Sequence, residues 1–257
     1  MFKVLYNIFI ECRSYILKGL SAKTLIRNKK GDLTKYFDKF IENKIITELK
    51  NKCPLKAQII SEELSKSVKI NKSKSGNYNY IIIDPVDGSD NYTIKIPFVC
   101  MGISIFDDKF NPIYSFVGNY YSCDWIYADE NKIVFNKKYK HNYDERNKKL
   151  LIFTFSKLKL NMKMQNLLTK FDIIRSLGAT IGEMMLVAMN RAEAFIDIRG
   201  KLTFENFAPF FLIAKHTSLK LVNEKGEEIK LKNFSLTKKY KIIFTNEKNL
   251  KSIIKNV

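Results

Sequence analysis

The sequence predicts a mixed α/β fold in which N-terminal helices cover a mostly antiparallel sheet and a C-terminal α/β layer follows. Three observations carry this reading. Apolar residues recur at helical spacing near the N-terminus, short β-branched runs fill the middle, and strand-like and helix-like segments alternate beyond residue 149. With 257 residues, 46% hydrophobic and 28% charged, the chain has material for a sizeable core, which excludes a disordered tail, a collagen-like fibre and a disulfide miniprotein.

Val4, Ile8, Cys12, Ile16 and Leu20 recur every fourth residue and predict a first amphipathic helix. Its opening, MFKVLYNIFIECR, is not read as a secretory leader: Asn7 interrupts the apolar part and Glu11 and Arg13 close it. After a Gly31-Asp32 turn, Phe37, Ile41, Ile45 and Leu49 mark a second helix from about Thr34 to Asn51. Strand-like runs follow at Ala57–Ser61, Tyr78–Asp84, Phe98–Phe106, Ile113–Tyr121 and Asp124–Ala128, with a hairpin expected between Asp107 and Pro112.

The polar stretch Lys137–Lys149 reads as a seam between residues 1–140 and 141–257. Beyond it, strands are expected at Lys149–Phe155, Asp172–Arg175, Ala194–Ile198 and Ile242–Thr245. Helices are expected at Gly182–Met189, Phe207–Lys215 and the C-terminal end. No run of about 18 apolar residues is present, so no transmembrane helix is expected.

Forty-five Lys and Arg against 26 Asp and Glu give a net charge of +19, which favours anionic partners without naming one. The basic residues are scattered and no nucleic-acid motif accompanies them, so neither nucleic acid nor a membrane is an expected partner. Cys12, Cys53, Cys100 and Cys123 lie far apart with no Cys-x-x-Cys pair, which fits buried thiols in a reducing compartment. His141 and His216 have no metal-ligand spacing.

The chemistry-bearing stretch is Ile81-Ile82-Ile83-Asp84-Pro85-Val86-Asp87-Gly88-Ser89-Asp90-Asn91-Tyr92. An apolar strand ends in two carboxylates three positions apart, with Pro85 fixing the backbone, Gly88 permitting an unusual turn and Ser89 able to cap a helix. Two converging carboxylates repel unless a cation lies between them, and Mg²⁺ takes such oxygen ligands. These twelve residues alone leave open a solvent-facing acidic turn. A second strand, Gln58-Ile59-Ile60-Ser61, ends in Glu62-Glu63 and repeats the pattern about two dozen residues earlier.

Here the sequence resembles the lithium-sensitive, Mg²⁺-dependent sugar phosphatases, in particular the inositol monophosphatases and the archaeal-type fructose-1,6-bisphosphatases. The family signature Asp-Pro-(Ile/Val)-Asp-Gly-(Thr/Ser)-x-Asn-(Phe/Tyr) is matched by Asp84 to Tyr92, followed by Ile96-Pro97-Phe98. Gly31-Asp32-x-Thr34, Phe37-Asp38-Lys39, Ser61-Glu62-Glu63, Arg175-Ser176-Leu177-Gly178-Ala179 and Val187-Ala188 also match in order.

The resemblance implies a layered αβαβα sugar-phosphatase fold, with the metal motifs in residues 1–140 and residues 141–257 completing the substrate pocket of one catalytic unit. It implies a phosphoric monoester hydrolase acting on a small phosphorylated polyol or sugar, inositol monophosphate or fructose 1,6-bisphosphate. Water activated by two or three Mg²⁺ ions would attack phosphorus with no covalent enzyme intermediate. Glu62, Asp84, the Val86 carbonyl and Asp87 would hold metal. Glu62 and Ser89 would orient the water, with Asp38 behind Ser89. The Gly88 and Ser89 N–H groups would grip the phosphate, and Gly178, Ala179 and Thr180 would line the alcohol site. Arg199, with Lys201, is a candidate for a second phosphate. A cytoplasmic homodimer is expected.

One departure stands out. Where the family has Trp-Asp before a C-terminal helix, with the aspartate a metal ligand, this chain has Thr203-Phe204-Glu205-Asn206-Phe207-Ala208-Pro209. Glu205 is the expected stand-in, and its extra methylene moves the carboxylate by about 1.5 Å. The alternative is therefore a catalytically impaired member that binds sugar phosphates.

Overall fold

The computed structural model describes residues 1–27, 33–61, 64, 66–71, 77–136, 148–155, 161–231 and 237–257. Gly31, Asp32, Glu62, Glu63, His141 and most of the expected seam lie outside the described residues.

Helix α1 (Phe2–Lys18) buries Leu5, Ile8, Phe9, Cys12 and Ile16. The strict every-fourth stripe drifts round a 3.6-residue helix, so Val4 gives way to Leu5 and Phe9. Strands β1 (Thr24–Arg27) and β2 (Leu33–Lys35) pair antiparallel, and α2 (Tyr36–Lys52) therefore begins two residues later than Thr34. The expected stripe Phe37, Ile41, Ile45 and Leu49 is buried, joined by Ile46 and the carboxylates of Asp38 and Glu42.

Next come β3 (Ala57–Ser61), β4 (Val68–Ile70), β5 (Asn79–Asp87), the short α3 (Ser89–Thr93), β6 (Cys100–Phe106), β7 (Pro112–Asn119), β8 (Trp125–Asp129) and β9 (Ile133–Phe135). They form a seven-stranded sheet in the order β4-β3-β5-β6-β7-β8-β9, antiparallel except for the β3–β5 pair. Asp107 organises the expected β6–β7 hairpin, its Oδ1 accepting from the N–H groups of Lys109 (2.9 Å) and Asn111 (2.7 Å).

The remaining elements are β10 (Leu150–Thr154), α4 (Met162–Leu168), β11 (Ile173–Arg175), α5 (Thr180–Ala188), β12 (Ala194–Leu202), α6 (Phe210–Lys215), β13 (Leu219–Val222), β14 (Tyr240–Asn246) and α7 (Glu247–Ile254). Their sheet runs β11-β10-β12-β14-β13, with β10 parallel to both neighbours and β14 antiparallel to both of its own. Instead of one helix from Phe207, a 3₁₀ turn at Phe204–Asn206 precedes α6, which starts immediately after Pro209. A proline fits there, because its missing N–H would have had no intrahelical partner.

Three apolar clusters show the layering. Ile59, Ile81, Ile83, Met101, Ile103 and Phe116 face α1 and α2 on one side of the first sheet. On its other side Ile60, Ile82, Cys100, Val117 and Ile126 meet Ile181, Met184, Phe210 and Ile213 of α5 and α6, together with Ile152, Phe195 and Phe244 of the second sheet. The outer face of that second sheet packs Leu151, Phe153, Ile196 and Ile243 against α4 and α7 through Met164, Leu167, Leu250 and Ile253. The result is an αβαβα sandwich of helix, sheet, helix, sheet and helix layers, as expected.

The middle helix layer sits tightly on the first sheet because Gly182 lacks a side chain. A Cβ there would lie 2.6 Å from the Cys100 sulfur and 2.8 Å from the Phe98 ring. Gly182→Ala should therefore lower stability by about 1–3 kcal/mol through overpacking, outweighing the gain of about 1 kcal/mol that Ala brings to a helix interior. Chemical denaturation checks this; a variant as stable as the parent would show that α5 can move off the sheet freely.

Candidate active site

Strand β5 does not stop at Asp84; it runs on to Asp87 through a bulge. Asp84 pairs with Gly102 and Asp87 with Cys100, so three steps on β5 oppose two on β6. In a regular strand, residues three apart point to opposite faces. One extra residue inverts that parity and bends the strand, which sends both carboxylates to the side of the sheet that faces α5 and the 203–206 turn. The side chains agree: Ile82 packs towards α5, whereas Val86 joins the cluster under α1 and α2. Tyr120, fully buried, donates its hydroxyl to the Pro85 carbonyl at 2.8 Å and so pins the bulge. Burial first, then the negative groups nearby, raises its pKa well above the usual value, so it stays a donor.

Asp87 caps α5. Its Oδ1 accepts from Thr180 N at 3.0 Å, and its Oδ2 from Ile181 N at 2.6 Å and Gly182 N at 3.4 Å. Helix-start N–H groups lack intrahelical partners and carry partial positive charge, so a buried carboxylate is stable there. Gly88 turns the chain away with φ +89, and a Cβ on it would meet the Phe98 carbonyl at 2.9 Å and the Ala179 Cβ at 3.0 Å. Asn91 ties the turn to its surroundings, donating to Phe98 O (2.8 Å) and Leu177 O (2.7 Å). Gly88, Gly178, Ala179 and Thr180 are thus brought together around Asp87. The thiol of Cys100, paired with Asp87 across the strands, is pushed well up by burial and by Asp87, Asp84 and Glu183, which leaves it protonated and inert.

Ser89 opens α3, half-buried, and its carbonyl accepts from Thr93 Oγ1 (2.9 Å) and Lys35 Nζ (3.3 Å). Asp38 is buried in the first turn of α2, its Oδ2 accepting from the Lys35 backbone N–H at 3.2 Å. Lys35, nine-tenths buried, also donates to Asp90 Oδ1 at 2.8 Å and links α2 to the Ser89 turn. Nothing in the sequence distinguished this lysine from 38 others.

The 203–206 turn differs from expectation in detail. Glu205 is buried, its Oε1 accepting from the Thr203 hydroxyl at 2.7 Å. Asn206 reaches the acidic strand end, donating through Nδ2 to Asp84 Oδ2 at 3.0 Å while its Oδ1 accepts from Thr203 N at 2.9 Å. The expectation for Glu205 rests on its charge, which the Asn206 amide lacks.

Arg199 is engaged by Asp197, a fully buried carboxylate two residues earlier on β12. Its Nε lies 3.0 Å from Oδ1 and its Nη2 2.5 Å from Oδ2. Near this pair is Glu183, also missed in the sequence. It is 1% exposed, and its Oε1 accepts from Leu177 N and from Gly178 N at 3.1 Å. Burial pushes its pKa up to about 7; the Leu177 and Gly178 N–H groups oppose this, Asp197 adds to it and Arg199 opposes it.

The donors gathered at the strand end are oxygen only, the two carboxylates and the backbone around Val86, which suits a hard cation such as Mg²⁺. Among the described residues no three acidic, His or Cys side chains form a group able to hold a metal ion. The expected third carboxylate, Glu62, follows β3 directly, and Ser61 of β3 lies beside Ile83 of β5 in the parallel register. No helix of the described residues is long and apolar enough to cross a membrane.

Residues 1–204 match the model of the inositol monophosphatase family. A fructose-1,6-bisphosphatase/inositol-1-monophosphatase of Thermococcus kodakarensis is 29% identical over 230 residues, covering 88% of this chain and 84% of that one. The crystal structure of an inositol monophosphatase-fructose 1,6 bisphosphatase superposes with a TM-score of 0.78 at 27% identity, covering 98% of this chain and 97% of the other. At 20% identity the fold is shared with an IMPase/NADP phosphatase complexed with Mg²⁺ and phosphate, with a TM-score of 0.74 and coverage of 99% and 90%.

Glu183 makes a pH dependence that stability measurements can read. Between pH 4.5 and about 7 the folded chain holds a proton that the unfolded chain has released, so rising pH over that window favours unfolding. The full shift corresponds to about 3 kcal/mol. Glu183→Gln keeps an acceptor for the Leu177 and Gly178 N–H groups and has no proton to lose. It should flatten this part of the profile and be the more stable form at pH 8; an unchanged slope in denaturant titrations across the window contradicts the assignment.

Proposed function

We propose that this chain, which belongs to the inositol monophosphatase family, is a phosphoric monoester hydrolase that transfers the phosphoryl group of a small polyol or sugar phosphate to water. The observation that carries this reading is the convergence of Asp84 and Asp87 on one face of the first sheet, beside the Gly88 turn and the start of α5. The similarity to phosphatases of inositol monophosphate and fructose 1,6-bisphosphate supports the substrate class.

Asp84, Asp87, the Val86 backbone carbonyl and Glu62 would hold Mg²⁺, two or three ions in all. When bound, Mg²⁺ supplies Lewis-acid stabilisation of the phosphoryl charge and lowers the pKa of water. The chain's own residues do the rest. Gly88 has no side chain to block a phosphate from the backbone N–H groups of the turn. The Ser89 hydroxyl would orient the attacking water, and Asp38 would support that turn through Lys35. Asp87 holds α5 in place, so Gly178, Ala179 and Thr180 form one wall for the alcohol portion. Arg199 would reach a second phosphate only in competition with Asp197, which already engages its Nε and Nη2. Homodimer formation and a cytoplasmic location belong to the same proposal; the cysteines at 12, 53, 100 and 123, all unpaired, support a reducing compartment.

A second reading, a member that binds sugar phosphates without turning them over, is favoured by one observation: a neutral amide, Asn206, rather than a carboxylate stands against Asp84.

Phosphate release from inositol 1-phosphate and fructose 1,6-bisphosphate, with Mg²⁺ titrated, separates the two. The hydrolase reading expects Mg²⁺-dependent turnover that chelation abolishes. It also expects Asp87→Asn to lower kcat/KM by more than about a hundredfold, beyond the loss seen for groups outside the metal's own ligands. Absence of release at every Mg²⁺ level favours the binding protein, and near-normal turnover in Asp87→Asn removes that carboxylate from the mechanism.

A further inference from the structure

We propose that Asn206, rather than Glu205, is the residue of the 203–206 turn that governs the cation at Asp84, and that it does so by competing with the cation instead of ligating it. The inference rests on the reading that the Asp84–Asp87 face takes a divalent cation, and it concerns how strongly.

The orientation of the amide decides the argument. Asn206 Oδ1 faces the Thr203 N–H at 2.9 Å and Nδ2 faces Asp84 Oδ2 at 3.0 Å. Turning the amide over would set carbonyl oxygen against carboxylate oxygen and N–H₂ against N–H, two repulsive contacts in place of two hydrogen bonds. The donor end is therefore held towards Asp84 and the only strong acceptor is committed to the turn. A cation that takes Oδ2, alone or together with Oδ1, must displace the amide hydrogen bond, and Asn206 gives it no anionic ligand in return. Asp84 is 1% exposed, so water replaces the amide poorly and the competition is not diluted by solvent.

Glu205 carries the charge that a metal site wants, but its Oε1 takes the Thr203 hydroxyl at 2.7 Å, within the same turn. Consecutive residues of a 3₁₀ turn point about 120° apart. One position along the turn thus separates a side chain that donates to Asp84 from one whose Oε1 is held by the Thr203 hydroxyl.

Mn²⁺ binding to the intact protein, followed by calorimetry and by the electron paramagnetic resonance of the free ion, tests this without reading turnover. Asn206→Asp preserves the acceptor for Thr203 N–H and replaces the competing donor with an anionic oxygen. It should tighten Mn²⁺ at least tenfold. It should also melt at lower temperature than the parent without metal, where two carboxylates then face each other, and show the larger rise in Tm on adding Mn²⁺. Glu205→Gln should change the affinity less than twofold. Asn206→Ser keeps an acceptor in the turn but takes the amide off Asp84, so it should tighten Mn²⁺ as well, and it serves where the aspartate variant fails to fold.

Affinity unchanged in both Asn206 variants, no Mn²⁺ binding in any form, or a tenfold loss in Glu205→Gln overturns the inference. Tighter Mn²⁺ in Asn206→Asp with no phosphate release by any form leaves this inference standing and removes the hydrolase reading. Turnover in the parent with unaltered Mn²⁺ affinity in the variants does the reverse.

Discussion

One extra residue in β5 between Asp84 and Asp87 turns two carboxylates onto the same face of the seven-stranded sheet, and the site depends on that parity. Without it Asp87 would point into the apolar cluster under α1 and α2, beside Ile83 and Met101. A charge there without partners is costly enough that the group would give up its ionisation or the strand its register. Pro85 removes an N–H from the irregular stretch, and Tyr120 satisfies the Pro85 carbonyl that the bulge frees. The bulge is held from the α1–α2 side of the sheet, and its carboxylates face the other.

Once on that face, the two carboxylates are stabilised by neutral donors from the second half of the chain. Asp87 takes the first N–H groups of α5, and Asp84 takes the amide of Asn206. The contacts that satisfy the two carboxylates are therefore the same contacts that hold α5 and the 203–206 turn against the first sheet. Local chemistry and tertiary assembly are one set of hydrogen bonds, so a cation entering the proposed site would act on how the layers meet.

Much of this was legible in the sequence where the signal was local. The run Asp84 to Tyr92 announced a strand end with paired carboxylates, and Phe37, Ile41, Ile45 and Leu49 gave α2 and its buried face. What escaped was set by tertiary geometry. Strands β4 and β9 and the β1–β2 pair span three or four residues each, too short for alternation to rise above background. α4 has seven residues and only Met164 and Leu167 buried. The contact of Asn206 with Asp84 escapes for a different reason: no spacing encodes where each side chain of the 203–206 turn is directed. Glu183 and Lys35 were invisible because each is an ordinary charged residue until the fold buries it.

The net charge of +19 and the acidic strand end act at different ranges. A diffuse positive field raises the local concentration of any phosphorylated metabolite, but it does not discriminate among them and fades within about 10 Å in salt. At contact the sign reverses, since Asp84 and Asp87 repel a phosphate unless cations stand between them. In the proposed hydrolase, choice among alcohols would then come from groups that meet neither the phosphate nor the cation. The Gly178 to Thr180 segment, proposed above as the wall for the alcohol portion, is held by Glu183, which accepts from the Leu177 and Gly178 N–H groups, and by Asn91, which donates to the Leu177 carbonyl. Discrimination by a surface of this kind follows from backbone position more than from side-chain chemistry, because two of the residues lining it are glycine and alanine. Under the proposed function, the buried Glu183 carboxyl beside that wall would bear on which substrate fits, and the acidic strand end on whether any is turned over.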